Sequence, residues 1–315
     1  MILIEWNDDR GGRKIRKILG LFGFGLIGQS IIAALSDTRP FTMSKFSFTW
    51  SAEQNQSQEL DAAQRYILAS CNDAVVSQID IVWAAGVAGF GASDDQIAVE
   101  VRAFEKVLMF VLQLTHRTPH VQHSFHLLSS AGGLFEGQKN VDRSCHPRPL
   151  RPYSHGKVHQ EQLLLTVAAP LRTMIYRPSS VYGFASDQSR LGLVSALIQN
   201  SVRHLTSSIV GDAQTIRDYV LVSDVGQFVA NQVRNINAQS QIFTLASGKP
   251  TTILEMLHRI EKILGRKLYF AFDKVRSNAA DTSFSRSVLP QFWSPTDLET
   301  GLRQTARRLA ASYLN

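Results

Sequence analysis

Tyr153 and Lys157 stand four residues apart in Pro152-Tyr153-Ser154-His155-Gly156-Lys157. In a helix this spacing puts both side chains on one face, one above the other. A tyrosine hydroxyl ordinarily titrates near pKa ~10, and an ammonium a few ångströms away stabilises its phenolate. Such a pair can supply a base near neutral pH. Upstream, Phe125-His126-Leu127-Leu128 reads as a buried strand that ends in Ser129-Ser130. A serine hydroxyl at a strand tip can hydrogen-bond a substrate oxygen and share its proton with the tyrosine, or it can simply cap the turn into Gly132-Gly133. The Tyr-Lys spacing alone also fits an ordinary solvated helix face, so the elements around it carry the decision.

Lys17-Ile18-Leu19-Gly20-Leu21-Phe22 predicts a buried strand, Gly23-Phe24-Gly25-Leu26-Ile27-Gly28 follows, and Gln29 to Leu35 predicts a helix. In this setting Gly23 permits the tight turn, Gly25 lets backbone approach a pyrophosphate, and Gly28 lets helix pack on strand. The helix N-terminus adds positive potential for phosphate. The next strand is expected at Phe46 to Trp50. Dinucleotide sites often place an acidic residue for the adenine ribose at its end; Trp50-Ser51 occupy that place, with no arginine for a 2′-phosphate and Glu53 as another ribose contact. NAD and NADP therefore both stay open. Glu53 to Ser70 has helical periodicity and leaves little room for a further strand before Asn72-Asp73, so this half looks abbreviated. Ile79 to Gly86 is a second strong strand whose small terminal residues would let a flat ligand lie against the backbone. Ile97 to Leu114 repeats apolar residues every three to four positions, a long helix for a core or a subunit interface.

The whole composition agrees with a globular protein. With 315 residues, 44% of them hydrophobic, the chain can bury a large core in one big domain or two interlocked ones. The formal net charge is +7, but its densest basic clusters, Arg10 to Lys17 and Arg303 to Arg308, lack the aromatic interleaving of a nucleic-acid stripe. The excess suits an anionic small substrate better, or nothing specific. Cys71 and Cys145 fit neither a metal spacing nor a disulfide framework, so no metal is expected and a reducing cytoplasm is the simplest setting. No uncharged apolar run approaches the ~18 residues of a membrane span, and residues 1–16 read as a short leading extension.

Taken in order, Gly23-x-Gly25-x-x-Gly28, Trp83-Ala84-Ala85-Gly86, Ser129-Ser130 with Leu134-Phe135-Glu136-Gly137, and Tyr153-x-x-x-Lys157 resemble the extended short-chain dehydrogenase/reductase family. More narrowly, the chain is similar to the NAD-dependent nucleotide-sugar epimerase/dehydratase group. In the second half, Leu171 to Pro178 predicts a strand, and Arg177-Pro178-Ser179-Ser180-Val181-Tyr182-Gly183 resembles the family's Arg-Pro-Ser-Asn-Val-Tyr-Gly. Gly211-Asp212 with Arg217-Asp218-Tyr219 and Ser223-Asp224-Val225 resembles its Gly-Asp-Gly-x-x-x-Arg-Asp-Tyr-x-x-Val-x-Asp-Val, the most specific of these likenesses. Ile242 to Met256 resembles a family strand, turn and helix, with Thr252 suited to cap the helix and Glu255 three residues on. Trp293-Ser294-Pro295 with Leu298 to Leu302 resembles the closing segment. The likeness runs from about residue 17 to 312.

The resemblance implies an α/β fold, a Rossmann-type doubly wound parallel sheet with a smaller α/β C-terminal substrate lobe. Residues 17–178, with a return near 216–247, would bind NAD(P); 179–215 and 248–315 would form the lobe. Cofactor contacts would come from Gly23, Phe24, Gly25, Leu26, Ile27, Gly28, Trp50, Ala84, Ala85, Gly86, Tyr153, Lys157, Arg177 and Pro178. Tyr153 and Lys157 would be catalytic with Ser130 or Ser129, and Ser130, Ser180, Leu193, Arg217 and Arg276 would meet the substrate. Arg217 can give a forked, charge-assisted contact to a diphosphate, with Asp218 fixing it or capping the next element. There are departures: Phe22 replaces a glycine, Ser180 an asparagine, and Ala131 the usual catalytic Ser or Thr. The implied reaction is transient oxidation of a nucleotide-diphosphate sugar with NAD, then re-reduction on the other face. A keto-sugar or carbonyl reductase, a dehydratase and a non-catalytic cofactor-binding protein are the alternatives. The family also implies a homodimer built on the helices near 97–114 and 153–167.

Overall fold

The computed structural model describes all residues except 11–12, 38–39, 51, 74, 87–88, 168–170, 187–191, 274–279 and 313–315; at 8–10, 13, 14 and 73 it describes backbone alone. In chain order the first half gives β1 (Ile2–Arg10), β2 (Arg13–Phe22), α1 (Leu26–Ser36), β3 (Thr42–Lys45), α2 (Glu53–Asp73), β4 (Val76–Trp83), α3 (Asp94–Arg117), β5 (Gln122–Leu128), α4 (Ala131–Leu134) and α5 (Pro152–Thr166). The second half gives β6 (Arg172–Pro178), β7 (Ser180–Tyr182), α6 (Leu193–Val202), β8 (Ser207–Val210), β9 (Ile216–Leu221), α7 (Val222–Arg234), β10 (Gln241–Leu245), β11 (Pro250–Thr252), α8 (Ile253–Leu264), β12 (Phe270–Asp273) and α9 (Leu298–Ala311).

Continuous apolar runs such as Ile79-Asp80-Ile81-Val82-Trp83 suit strands covered on both faces. They form the middle of a sheet ordered β10-β6-β5-β4-β2-β1-β3. β2, β4, β5, β6 and β10 run parallel. One face packs on α2, α3 and α5 through Leu60, Ile67, Phe104, Val107, Val111 and Leu164. The other packs on α1 and α7 through Ile31, Leu35, Val225, Phe228 and Val229. The doubly wound α/β architecture is as expected.

Three local expectations need correction. Residues 2–10 are no leading extension: β1 runs antiparallel between β2 and β3, from Ile2 opposite Leu21 to Arg10 opposite Arg13. Leu3 and Ile4 are fully buried, one on each face of the sheet, so this strand supplies core to both sides. It also completes the half of the sheet that looks abbreviated in sequence. Second, the strand expected at Phe46 to Trp50 ends earlier, as β3 stops at Lys45. Phe48 and Trp50 pack instead in an aromatic cluster with Phe22 and Trp83. Third, β9 does not return to the large sheet. It lies in the order β11-β9-β7, and the return is made by α7 and β10.

The smaller lobe combines that sheet with paired β8 and β12 and the helices α6, α8 and α9 around Leu197, Ile209, Leu221, Met256, Ile260 and Leu302. Thr252 caps α8 as its sequence suggests, its hydroxyl accepting from the Glu255 amide at 3.1 Å.

Candidate active site

All parallel strands of the large sheet point their carboxyl ends to one side, where an open doubly wound sheet binds ligands. β2 delivers the glycine turn there, pinned to β4 by the Ala84 amide donating to the Phe22 carbonyl at 2.8 Å. Gly23 has φ +94°, and a Cβ on it would lie 2.5 Å from Ala84 and Ala85 backbone atoms. A Cβ on Gly28 would lie 2.0 Å from the Gly23 carbonyl oxygen, so turn and helix are in backbone contact. Gly25 differs: among the described residues nothing lies within 4 Å of its Cβ direction. It is the N-cap of α1 and offers no side-chain cap to the first amides of that helix. Phe24 is about half exposed beside it, Leu26 and Ile27 are half-buried, and Ala84, Ala85 and Gly86 follow β4 at the same edge.

β5 ends at the two serines. Ser129 is buried, held by its amide on the Tyr176 carbonyl at 2.8 Å, and its hydroxyl has no partner among the described residues. Ser130 is half-buried and caps α4, accepting from the Gly133 amide at 3.1 Å. An accepting hydroxyl keeps its own proton to donate. Ala131 is fully buried as the first residue of α4.

α5 starts from Arg151 as N-cap with Pro152 in its first turn, which brings half-buried Tyr153 in at the helix head. The tyrosine ring lies against Phe90, 5.9 Å between centroids, and Arg151 sits over Phe90 at 4.7 Å. Arg151 also forks onto the buried Glu136 carboxylate, with contacts from 2.6 to 2.9 Å. Lys157 is buried one turn beyond the tyrosine, its ammonium 5.9 Å from the Tyr153 ring centroid and 3.1 Å from a Glu100 oxygen. Burial works against that ammonium, but Glu100, Tyr153 and Glu161 outweigh it and hold its pKa above the ordinary lysine value.

The sheet edge and the small lobe enclose a pocket of about 450 Å³. Gly132, Glu136 and Phe90 line it from the large-sheet side, and Ser180, Leu193, Arg217, Tyr219 and Thr282 from the lobe. Burial lowers the Arg217 pKa, while Tyr219, Glu136 and Asp281 pull it back up. Its guanidinium donates to the Ile216 and Ala280 carbonyls. Burial pushes the Tyr219 hydroxyl up to about 12, and that hydroxyl has no hydrogen-bond partner among the described residues. Asp218 takes neither expected role: it accepts from the Ser247 amide at 2.6 Å, the Gly248 amide at 2.9 Å and the Ser179 hydroxyl at 3.1 Å, fixing the distant turn after β10, while α7 starts from Leu221 without a side-chain cap.

Ser180, Leu193 and Arg217 thus share one pocket with Phe90, against whose ring Tyr153 packs. Other expected contacts are engaged elsewhere. Trp50 packs on Phe48 and Trp83 at 4.7 and 5.6 Å between centroids. Arg177 forks onto Glu161, and Pro178 is buried at the end of β6. Arg276 lies outside the described residues. Glu136 stands in the Leu134 to Gly137 stretch, but its pairing with Arg151, like the places of Phe90 and Glu100, emerges only from tertiary packing.

This site, at the edge of a doubly wound sheet, matches a known class. The chain belongs to the NAD dependent epimerase/dehydratase family, whose model matches residues 23–246. A protein of Methanocaldococcus jannaschii named "Putative UDP-glucose 4-epimerase" is 30% identical over 56% of this chain and 60% of its own length. A dTDP-4-dehydro-6-deoxyglucose reductase of Escherichia coli is 25% identical over 54% and 56%. The matches therefore span less than two thirds of those relatives. The Thermus thermophilus UDP-glucose 4-epimerase solved in complex with NAD superposes with a TM-score of 0.72 at 18% identity, over 93% of this chain and 99% of that one. At that identity the likeness concerns the fold.

Proposed function

We propose that this protein is an NAD-dependent epimerase of nucleotide-diphosphate sugars. The observation that carries the reading is a pocket bounded by Phe90, on which Tyr153 packs, and by Arg217 on the opposite lobe. A base and a diphosphate-binding cation would then meet one extended anionic substrate. The turn at Gly23 to Gly28 fits the cofactor's pyrophosphate, because the side of Gly25 is open where Gly23 and Gly28 are closed. Ala84, Ala85 and Gly86 would flank the cofactor. NAD, when bound, would supply reversible hydride-transfer chemistry. The chain's own residues handle the proton and the orientation.

Tyr153 takes the proton from a sugar hydroxyl as the carbon loses hydride, and gives it back when hydride returns to the opposite face. Ser130 donates to the reacting oxygen with the proton left free by its cap to Gly133. Arg217 holds the diphosphate while Glu136, fixed by Arg151, offers carboxylate acceptors on the sugar side of the pocket. A homodimer through α3 and α5 is part of the same proposal.

The test is proton NMR of UDP-sugars incubated with enzyme and substoichiometric NAD. A second epimer should accumulate with no net consumption of cofactor, and Tyr153→Phe should lose at least about a hundredfold in turnover while binding NAD nearly as well. Stoichiometric oxidation of NADH or NADPH by a keto sugar, with no epimer formed, would sink the epimerase in favour of a reductase. Full activity in Tyr153→Phe would remove the base.

A further inference from the structure

Lys157 is one corner of a closed, buried triangle. Its Nζ donates to Glu100 Oε1 at 3.1 Å and to Gln160 Oε1 at 3.1 Å, and the Gln160 amide donates to the same Glu100 oxygen at 3.2 Å. Lys157 is 4% exposed, Glu100 6% and Gln160 1%. Glu100 lies on α3, 57 residues upstream, and α3 packs along α5. A carboxylate removed from water this far is costly unless it is paired, and its field is weakly screened by solvent. The other groups facing the ammonium are Tyr153 and Glu161, both on α5, and Arg177 of β6 lies behind Glu161 in a forked pair. His155 and His159 sit on the exposed side of α5. α4, also packed on α5, brings no ionisable side chain.

We propose that Glu100 is a positioning residue that sets how strongly Lys157 acts on Tyr153: it anchors the ammonium to α3 and cancels part of its field at the phenol. The inference rests on the proposed role of Tyr153 as the base. Two consequences follow from the geometry. The Lys157 charge that faces Tyr153 is shared with a carboxylate, so it stabilises a phenolate less than an unpaired lysine would. Lys157 also remains an ammonium throughout, so the proton taken from the sugar hydroxyl stays on Tyr153 and is returned by it.

The test reads Tyr153 directly. Tyrosinate absorbance is titrated in the full-length protein and the matching Tyr153→Phe curve is subtracted, first in the wild-type background and then in Glu100→Gln. The Tyr153 midpoint should fall by on the order of one pH unit in Glu100→Gln, stay near wild type in Glu100→Asp, and rise in Gln160→Glu, which adds a second carboxylate beside the ammonium. An unchanged or raised midpoint in Glu100→Gln overturns the inference. If that variant does not fold, Gln160→Glu decides, and an unmoved or lowered midpoint there is equally fatal. The titration needs no substrate, so it separates the two proposals. A shifted midpoint in a protein that turns over no nucleotide sugar keeps Glu100 and removes the epimerase; turnover with no shift does the reverse. Where turnover is present, the alkaline rise of its pH profile should move with the titration midpoint.

Discussion

The Ser130 hydroxyl accepts a hydrogen bond from the Gly133 amide at 3.1 Å, so the serine next to the position held by Ala131 is also the cap of α4. That bond fixes the hydroxyl oxygen and leaves its proton to point elsewhere. Ser129 makes no such bond, and its hydroxyl is buried and unpartnered among the described residues. The two serines should therefore separate on mutation. Ser130→Ala is expected to lose about 1 kcal/mol of stability through the cap and at least about tenfold in kcat. Ser129→Ala should leave kcat within about twofold and hold or raise Tm, since a buried hydroxyl without a partner is removed. Steady-state kinetics and thermal melts on both variants check this, and equal kcat losses would contradict it.

The glycine turn makes two distinct predictions. Gly23→Ala forces a side chain into φ +94° and within 2.5 Å of the Ala84-Ala85 backbone. It should destabilise the fold by more than about 2 kcal/mol in urea titrations. Gly25→Ala has ordinary φ, −85°, and open space, so its Tm should match wild type. Its methyl group points where the pyrophosphate is proposed to lie, and NAD affinity measured by calorimetry should fall about tenfold or more.

Arg217 bridges two roles, clasping the Ile216 and Ala280 carbonyls and lining the pocket. Arg217→Lys keeps the charge but loses the fork. For a nucleotide sugar its KM should rise about tenfold with kcat nearly unchanged, as expected for an interaction equal in ground and transition states. An unchanged KM would assign the residue to loop structure alone.

The Lys157–Glu100 pair predicts a pH window for stability. Because the folded-state pKa of Lys157 lies above its ordinary 10.5, the pair's contribution is fully present below pH 10.5 and is lost as pH rises through the folded value. Glu100→Gln leaves a buried ammonium without its carboxylate and should cost about 3 kcal/mol at pH 7. Urea titrations from pH 7 upward should show the gap to wild type narrowing as pH rises, because burial favours a neutral Lys157 in the variant and wild type loses the pair's contribution above 10.5. A gap that widens with pH would contradict the pairing.

Local patterns in the chain were enough to determine much of this protein. The apolar run into Gly23-x-Gly25-x-x-Gly28 specifies strand, turn and helix because each step depends on near neighbours: β burial, a positive φ, a close backbone contact. The Thr252 cap and the one-face spacing of Tyr153 and Lys157 are local in the same way. What lay beyond the sequence depends on partners far along the chain. Met1 to Trp6 is apolar enough to be a strand or a loose leader, and pairing with β2 and β3 decides it by burying Leu3 and Ile4 on opposite faces. Helix spacing puts Lys157 beside Tyr153 but says nothing of the facing helix, and α3 brings Glu100 to the ammonium. The strength of the proposed base is thus decided by tertiary packing, because a buried charge responds to whichever carboxylate shares its dry environment.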